Sequence, residues 1–299
     1  MLTRRATKDE VLGSPTGGDV RRADALARFR RVVWKYWKEN GRHNLPWRKT
    51  RDPYRIMVSE VMLQQTQVPR VIEKYKEFLR AFPTIRALAR SNLAEVLRVW
   101  SGLGYNRRGK YLHDAAKIIM EKHGGRVPLE TPALRTLPGM GPYTASAIRV
   151  FAYNEPDVLI ETNVRAVYIY HFEKIWTRRV HISDRDILPI VTKAATGQDS
   201  REWHWALMDY GVYLKKLYKN PARKSAQYVR QSKFEGSLRQ IRGAILRVLH
   251  NGSRSEAEII KEVVRGTLHI SDKKKVLTAL TSLLRDGLIV EEKGKWRIA

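Results

Sequence analysis

Two carboxylates stand out by the company they keep. Glu60, in YRIMVSEVMLQQTQV, has Val58, Val61, Met62 and Leu63 around it on a helical pattern. An acid among apolar neighbours holds its proton toward neutral pH and can donate it to a reacting group. Glu161, in LIETNV, follows Val158, Leu159 and Ile160 and immediately precedes Thr162 and Asn163, which suit the start of a helix. A carboxylate there lies in the positive potential of a helix end. Taken alone, Glu161 reads as an ordinary helix-start charge, and its chemistry stays open.

Three further stretches carry groups suited to nucleic acid. Gln64 and Gln65 are paired amides, which read base edges in some proteins and are plain surface residues in others. SGLGYNRRGK, residues 101–110, sets Tyr105 on a glycine-rich turn before Arg107, Arg108 and Lys110. An aromatic on a basic turn suits stacking between bases, or it caps a core. LPGMGPYTASAI, residues 137–148, joins two helices through Gly139 and Gly141, with Tyr143 and Thr144 opening the second helix. A lone Gly-x-Gly is most often a turn. Between two helices it can also bare backbone N–H groups that, with the helix end, cradle a phosphate.

Charge decides which partner to expect. The 299 residues hold 57 Lys+Arg against 30 Asp+Glu, a net charge of +27. So large an excess points to a polyanion, with nucleic acid foremost. Residues 234–299 carry 13 Lys+Arg and 8 Asp+Glu, which leaves +22 on residues 1–233. Any DNA therefore belongs chiefly to the main body. There is no cysteine, which excludes disulfides, thiolate zinc sites, iron–sulfur clusters and cysteine nucleophiles. The eight histidines show no ligand spacing; His171 and His181 lack a third partner. We expect no metal and no cofactor. No apolar run reaches membrane length, and MLTRRATKDEVLGSPTGGDVRR lacks the apolar core of a signal peptide. The expectation is a cytoplasmic, nucleoid-associated monomer without a membrane partner.

The elements that must position these residues are helical. Leu26, Phe29, Val33 and Trp37 share one face, ended by Gly41. Helical patterns recur at 54–68, 69–81, 91–100, 107–122, 132–136, 142–153, 162–174, 184–196 and 200–214, and no strand-rich block precedes residue 288. Residues 1–23 read as a polar tail, 24–214 as the main body and 215–233 as a cationic linker with seven Lys/Arg and no acid. Within the body a six-helix lobe spans about 48–155, and 24–47 with 156–214 form the second lobe. Residues 234–299 give three helices and two short strands around Lys-Gly-Lys, the winged-helix arrangement, with Lys273, Lys274 and Lys275 at the start of its recognition helix. The fold class is all-α.

LPWRKTRDPYRIMVSEVMLQQTQV, LRVWSGLGYNRRGKYLHDAAK, HGGRVP, LPGMGPYTASAI and ETNVRAV together resemble the helix-hairpin-helix DNA glycosylases, and most closely the adenine DNA glycosylases. The similarity runs from about residue 24 to about 214, in that family's order. The resemblance implies that Glu60 is the acid that protonates adenine and manages the water. It places Gln64 and Gln65 near the opposite guanine, makes Tyr105 the intercalating wedge, and gives the Gly139/Gly141 hairpin, with Thr144, to the DNA backbone. Arg107 and Arg108 join that DNA surface. Tyr143 falls where strand-cutting relatives carry a Schiff-base lysine, which implies base removal without strand scission. Glu161 falls where the family has an aspartate that steadies the sugar cation, the two-carboxylate logic of glycoside hydrolysis.

The chain departs from that pattern in three ways. Glu161 is one methylene longer than the family's aspartate, and Asp157 is the alternative second carboxylate. The four-cysteine iron–sulfur loop is missing; its first cysteine would fall at Lys215. A winged helix replaces the domain that reads 8-oxoguanine in the best-known members. The resemblance implies a monofunctional glycosylase acting on adenine opposite 8-oxoguanine or guanine in double-stranded DNA. A thymine or uracil glycosylase for mismatches with guanine is the alternative, and a non-catalytic DNA-binding protein on the same scaffold is a second.

Overall fold

Short polar residues start most of the helices. The first helix, α1, spans Gly18–Asn40; α2 spans Pro53–Leu63 and is capped by Asp52, which accepts from the Tyr54 N–H at 2.9 Å. Then come α3 (Val68–Ala81), α4 (Ile85–Arg90), α5 (Leu93–Trp100), α6 (Arg107–Lys122), α7 (Thr131–Thr136) and α8 (Pro142–Ile148). They are followed by α9 (Thr162–His171), α10 (Asp184–Ala195) and α11 (Ser200–Leu217). Asn92 and Glu95 cap α5 reciprocally, at 2.8 and 3.3 Å. The computed structural model describes residues 18–176, 181–266 and 273–299. Of the polar tail expected at 1–23, residues 1–17 lie outside the described residues, and the rest open α1.

Contacts divide the chain into two units. One holds the described residues up to Lys49 with Arg149–Arg230; the other holds Thr50–Ile148 with Gln231–Ala299. In the first, Phe29 of α1 meets Tyr168 of α9 at 5.1 Å between ring centroids and Trp203 of α11 edge-on at 6.0 Å. Gly211 lets α11 approach α9, because a Cβ there would stand 2.3 Å from the Asn163 carbonyl oxygen. Asp209 of α11 is buried and accepts from Arg48 Nη1 at 2.7 Å and Nη2 at 3.0 Å, and from the Arg42 backbone N–H at 2.7 Å. These bonds tie residues 42–48 to α11.

The second unit packs α2 through α8 around Tyr54, Phe78, Phe82 and Trp100. The Tyr54 hydroxyl donates to the Phe82 carbonyl at 2.7 Å. To these it adds α12 (Leu238–Leu249), β1 (Arg254–Ser255), α13 (Glu256–Gly266), α14 (Lys273–Arg285), β2 (Ile289–Glu292) and β3 (Lys295–Ile298). The strands form one antiparallel sheet in the order β1-β3-β2, so a third short strand joins the expected hairpin. This winged helix does not stand apart. Leu93 and Leu97 of α5 lie in one buried cluster with Ile241, Ile245, Leu249, Leu280 and Leu283. Asp286, just past α14, accepts from Arg242 at 2.6 Å and from Arg107 of α6 at 3.3 Å.

The observed α2 is shorter than the helix expected over 54–68. It stops at Leu63 because Gln65 turns into the left-handed region at φ +54°. Arg108 closes the end, donating to the carbonyls of Val61 at 2.8 Å, Met62 at 3.0 Å and Gln64. The helix expected over 142–153 ends at Ile148 and runs on as a π-helical turn, Arg149–Tyr153. The six-residue α4, capped by Thr84, was not anticipated; one and a half turns give too little periodicity to read.

Candidate active site and DNA interface

Glu60 lies in the last two turns of α2 with only 8% of its surface exposed, between Ser59 at 0% and Val61 at 1%. On this helix α2 packs against α3, α6 and α8. Buried apolar residues Ile56, Met57, Val61 and Met62 share the helix with it and limit its access to water. Such an acid can protonate a leaving group in a dry pocket. Just beyond, the Gln64 side-chain amide donates to the Thr144 hydroxyl at 3.1 Å. That bond ties the end of α2 to the first turn of α8, beside Tyr143. Thr144, expected at the DNA surface, has its side chain buried instead, at 4% exposed.

The hairpin between α7 and α8 divides the work of its glycines. Gly139 has φ +77°, and a Cβ there would come within 3.0 Å of the Tyr111 Cβ. Glycine is needed on both counts. Gly141 has an ordinary φ and nothing within 4 Å of where its Cβ would be. Its side is open for a phosphate to approach the backbone, as a sequence-independent grip requires.

Tyr105 also has a positive φ, +47°. Its hydroxyl accepts from Gln231 Nε2 at 2.7 Å and from Arg239 Nη1 at 2.8 Å. The guanidinium groups of Arg239 and Arg108 lie 5.1 and 5.5 Å from the ring centroid. The ring, on the glycine-rich basic turn that the sequence marked for base stacking or for capping a core, is thus held by its tip and by two cations. Arg108 corrects the expectation of a DNA contact. It is 9% exposed, and its terminal nitrogens donate to five carbonyls and to Thr66 Oγ1. Burial pulls its guanidinium down to about 10, which leaves it charged at neutral pH. It braces the turn that carries Gln65 and Tyr105. Arg107 stays exposed, paired with the largely buried Asp286 at 3.3 Å and lying 5.6 Å from the Tyr111 ring centroid, and its exposed face is open to phosphate.

In the first unit Glu161 caps α9. Its Oε1 accepts from the N–H groups of Asn163 at 2.8 Å and Val164 at 2.9 Å, and its Oε2 accepts from Asn163 Nδ2 at 3.1 Å. Lys215, on α11, donates to Asn163 Oδ1 at 3.1 Å. The result is a chain of contacts, ammonium to amide to carboxylate. Burial pushes the Glu161 carboxyl above its ordinary range, while the two N–H groups and then Lys215 and Arg165 pull it back. Asp157, the alternative, accepts from its neighbour Val158 N–H at 2.7 Å and sits 3.9 Å from Arg149; it caps no helix. Asn163 and Lys215 escaped the sequence reading. The cysteine that the resemblance would place at 215 is the one signal that pointed there. An iron–sulfur cluster does not fit this chain: no thiolate exists to hold it, and at position 215 the ammonium serves Asn163. Among the described residues, no group of three or more His, Cys, Asp or Glu could hold a metal ion. No helix among them is long and apolar enough to cross a membrane.

Residues 58–196 match the family described as the HhH-GPD superfamily base excision DNA repair protein. An adenine DNA glycosylase of Mycolicibacterium smegmatis is 34% identical over 287 residues, covering 88% of this chain and 93% of the relative. One from Mycobacterium tuberculosis is 32% identical over 275 residues, covering 85% and 88%. Among solved structures, a thermostable thymine-DNA glycosylase superposes with a TM-score of 0.54 at 24% identity, over 62% of this chain and 88% of that one; that likeness is one of fold.

Proposed function

The chain belongs to the adenine DNA glycosylases of the HhH-GPD superfamily, and we infer from that premise how its residues remove the base. It is a DNA-binding enzyme of base excision repair. Its substrate is a mispaired adenine in double-stranded DNA, facing 8-oxoguanine or guanine and turned out of the stack. The observation that carries the reading is Glu60, an acid 8% exposed among apolar neighbours on α2. An acid so placed is suited to donating a proton to a bound base.

The chemistry balances around that acid. Glu60 gives its proton to a ring nitrogen of adenine. The bond from C1′ to the base then breaks, and its electron pair leaves with the neutral base. The sugar is left as an oxocarbenium cation, a charge of the kind that a carboxylate such as Glu161 would steady. Water adds at C1′ and returns its proton to Glu60, leaving an abasic site and a regenerated acid. Tyr143 offers no amine for a Schiff base, so the strand stays intact. Gly139 and Gly141 grip the backbone, and the protein acts as a monomer.

Glu60→Gln tests this reading. The amide cannot donate an acidic proton, so single-turnover excision should fall by roughly 10²-fold or more. Affinity for the same duplex should be kept. Excision at the wild-type rate by Glu60→Gln would remove Glu60 from the mechanism, and strand breaks before alkali would refute the role given to Tyr143.

A further inference from the structure

Arg108 stands where a cation is disfavoured. It is the second residue of α6, in the positive potential of a helix start. It is also buried, and its partners are neutral oxygens: five carbonyls and one hydroxyl. A buried charge is costly unless hydrogen bonds compensate it. What those bonds connect therefore matters.

The two ends of the guanidinium serve two different segments. Nη1 donates to the carbonyls of Val61 at 2.8 Å, Met62 at 3.0 Å and Gln64. The last carbonyls of a helix have no partner within it, and Glu60 lies in that last turn of α2, immediately before Val61. Nη2 donates to the carbonyls of Leu103 at 3.2 Å and Gly104 at 3.0 Å, and to Thr66 Oγ1 at 3.0 Å. Leu103 and Gly104 lead directly into Tyr105, whose ring centroid is 5.5 Å from the Arg108 Cζ. The Trp100 ring lies at the same distance. One planar, rigid fork thus spans from the helix end that carries the acid to the turn that carries the tyrosine. All of these residues lie in the second unit.

We propose that Arg108 is a positioning residue that couples Tyr105 to Glu60, so that entry of the Tyr105 ring into the duplex and alignment of the Glu60 carboxyl on the adenine are set by one guanidinium. A displacement of the Leu103–Tyr105 turn moves the fork, and the fork carries the carbonyls of Val61 and Met62 with it. Arg108 touches neither base nor sugar in this scheme; it acts through the two residues that do. The proposal rests on the glycosylase reading, which supplies the roles of both.

The test is a double-mutant cycle on the full chain. Single-turnover excision from an A·8-oxoG duplex is followed for the wild type, Arg108→Lys, Tyr105→Leu and the double variant, with rate constant and amplitude read separately. Lysine keeps the charge but has no planar fork to reach both segments. Its rate constant should fall about tenfold or more, as misplacement of a reacting group does. A fold that is merely weakened loses amplitude and keeps the rate constant of its active fraction. In the Tyr105→Leu background the same substitution should cost only about threefold or less, because the coupling is already gone. Thr66→Val removes one acceptor from Nη2 and serves if Arg108→Lys fails to fold; its rate constant should fall about threefold, again only when Tyr105 is present. Equal costs in the two backgrounds overturn the proposal, as does a wild-type rate constant with reduced amplitude; either makes Arg108 a structural brace alone. Absence of product from the wild type would instead overturn the glycosylase reading, and this proposal with it.

Discussion

Glu161 is tuned by opposing effects, and the smaller ones can be removed singly. In the proposed mechanism its carboxylate is ionised to steady the sugar cation, and burial has raised its pKa. Activity therefore falls as pH drops through that raised value. Lys215 acts against the shift, so Lys215→Met should raise the pKa further and move the acid limb of the single-turnover rate to higher pH. Lys215→Arg, which keeps the charge, should restore the limb; a limb unmoved in the Met variant would show that Lys215 only packs. Asp209 runs the other way. Burial alone would raise its carboxyl, but hydrogen bonding and charge from Arg48, then Arg42, hold it below the ordinary value. Its stabilising effect is complete above the unfolded carboxylate pKa and is lost as pH falls through the folded one. Asp209→Asn should cost about 3–5 kcal/mol, because the buried Arg48 loses its carboxylate. It should also flatten the acid side of the stability profile, read by denaturant unfolding across pH.

At the scale of elements, what could be read from sequence was what is local. The hairpin glycines, the helix start at Glu161 and the apolar setting of Glu60 all lie within a few residues of their cause. The extent of α6 was also legible, as a clean run from Arg107 to Lys122. The end of α2 was not, because Arg108, 44 residues past Gln64, supplies the group that closes it. Nor was the holding of Tyr105, whose partners Gln231 and Arg239 are 126 and 134 residues away. The hairpin gives the sharper prediction here. Gly139→Ala forces a Cβ against Tyr111 from a left-handed backbone and should cost roughly 1–2 kcal/mol in unfolding free energy. Gly141→Ala has room and should leave stability unchanged while weakening duplex binding. Equal effects of the two on stability would refute the division of labour.

For the whole molecule, charge and the missing thiols matter most. A net charge of +27 predicts a steep loss of DNA affinity with salt. A chain without cysteine should keep its full excision rate after dialysis against a strong iron chelator and show no visible cluster absorption. Where the resemblance would place a cluster loop, α11 continues to Leu217, and the Ile182–Ser225 bridge fastens the segment after it. The most direct test of the central claim is alkali-revealed cleavage of matched duplexes containing A·8-oxoG, A·G, T·G and U·G. Product is expected from the adenine-containing duplexes, and only after alkali. No product from any duplex, or product from T·G and U·G alone, would contradict it.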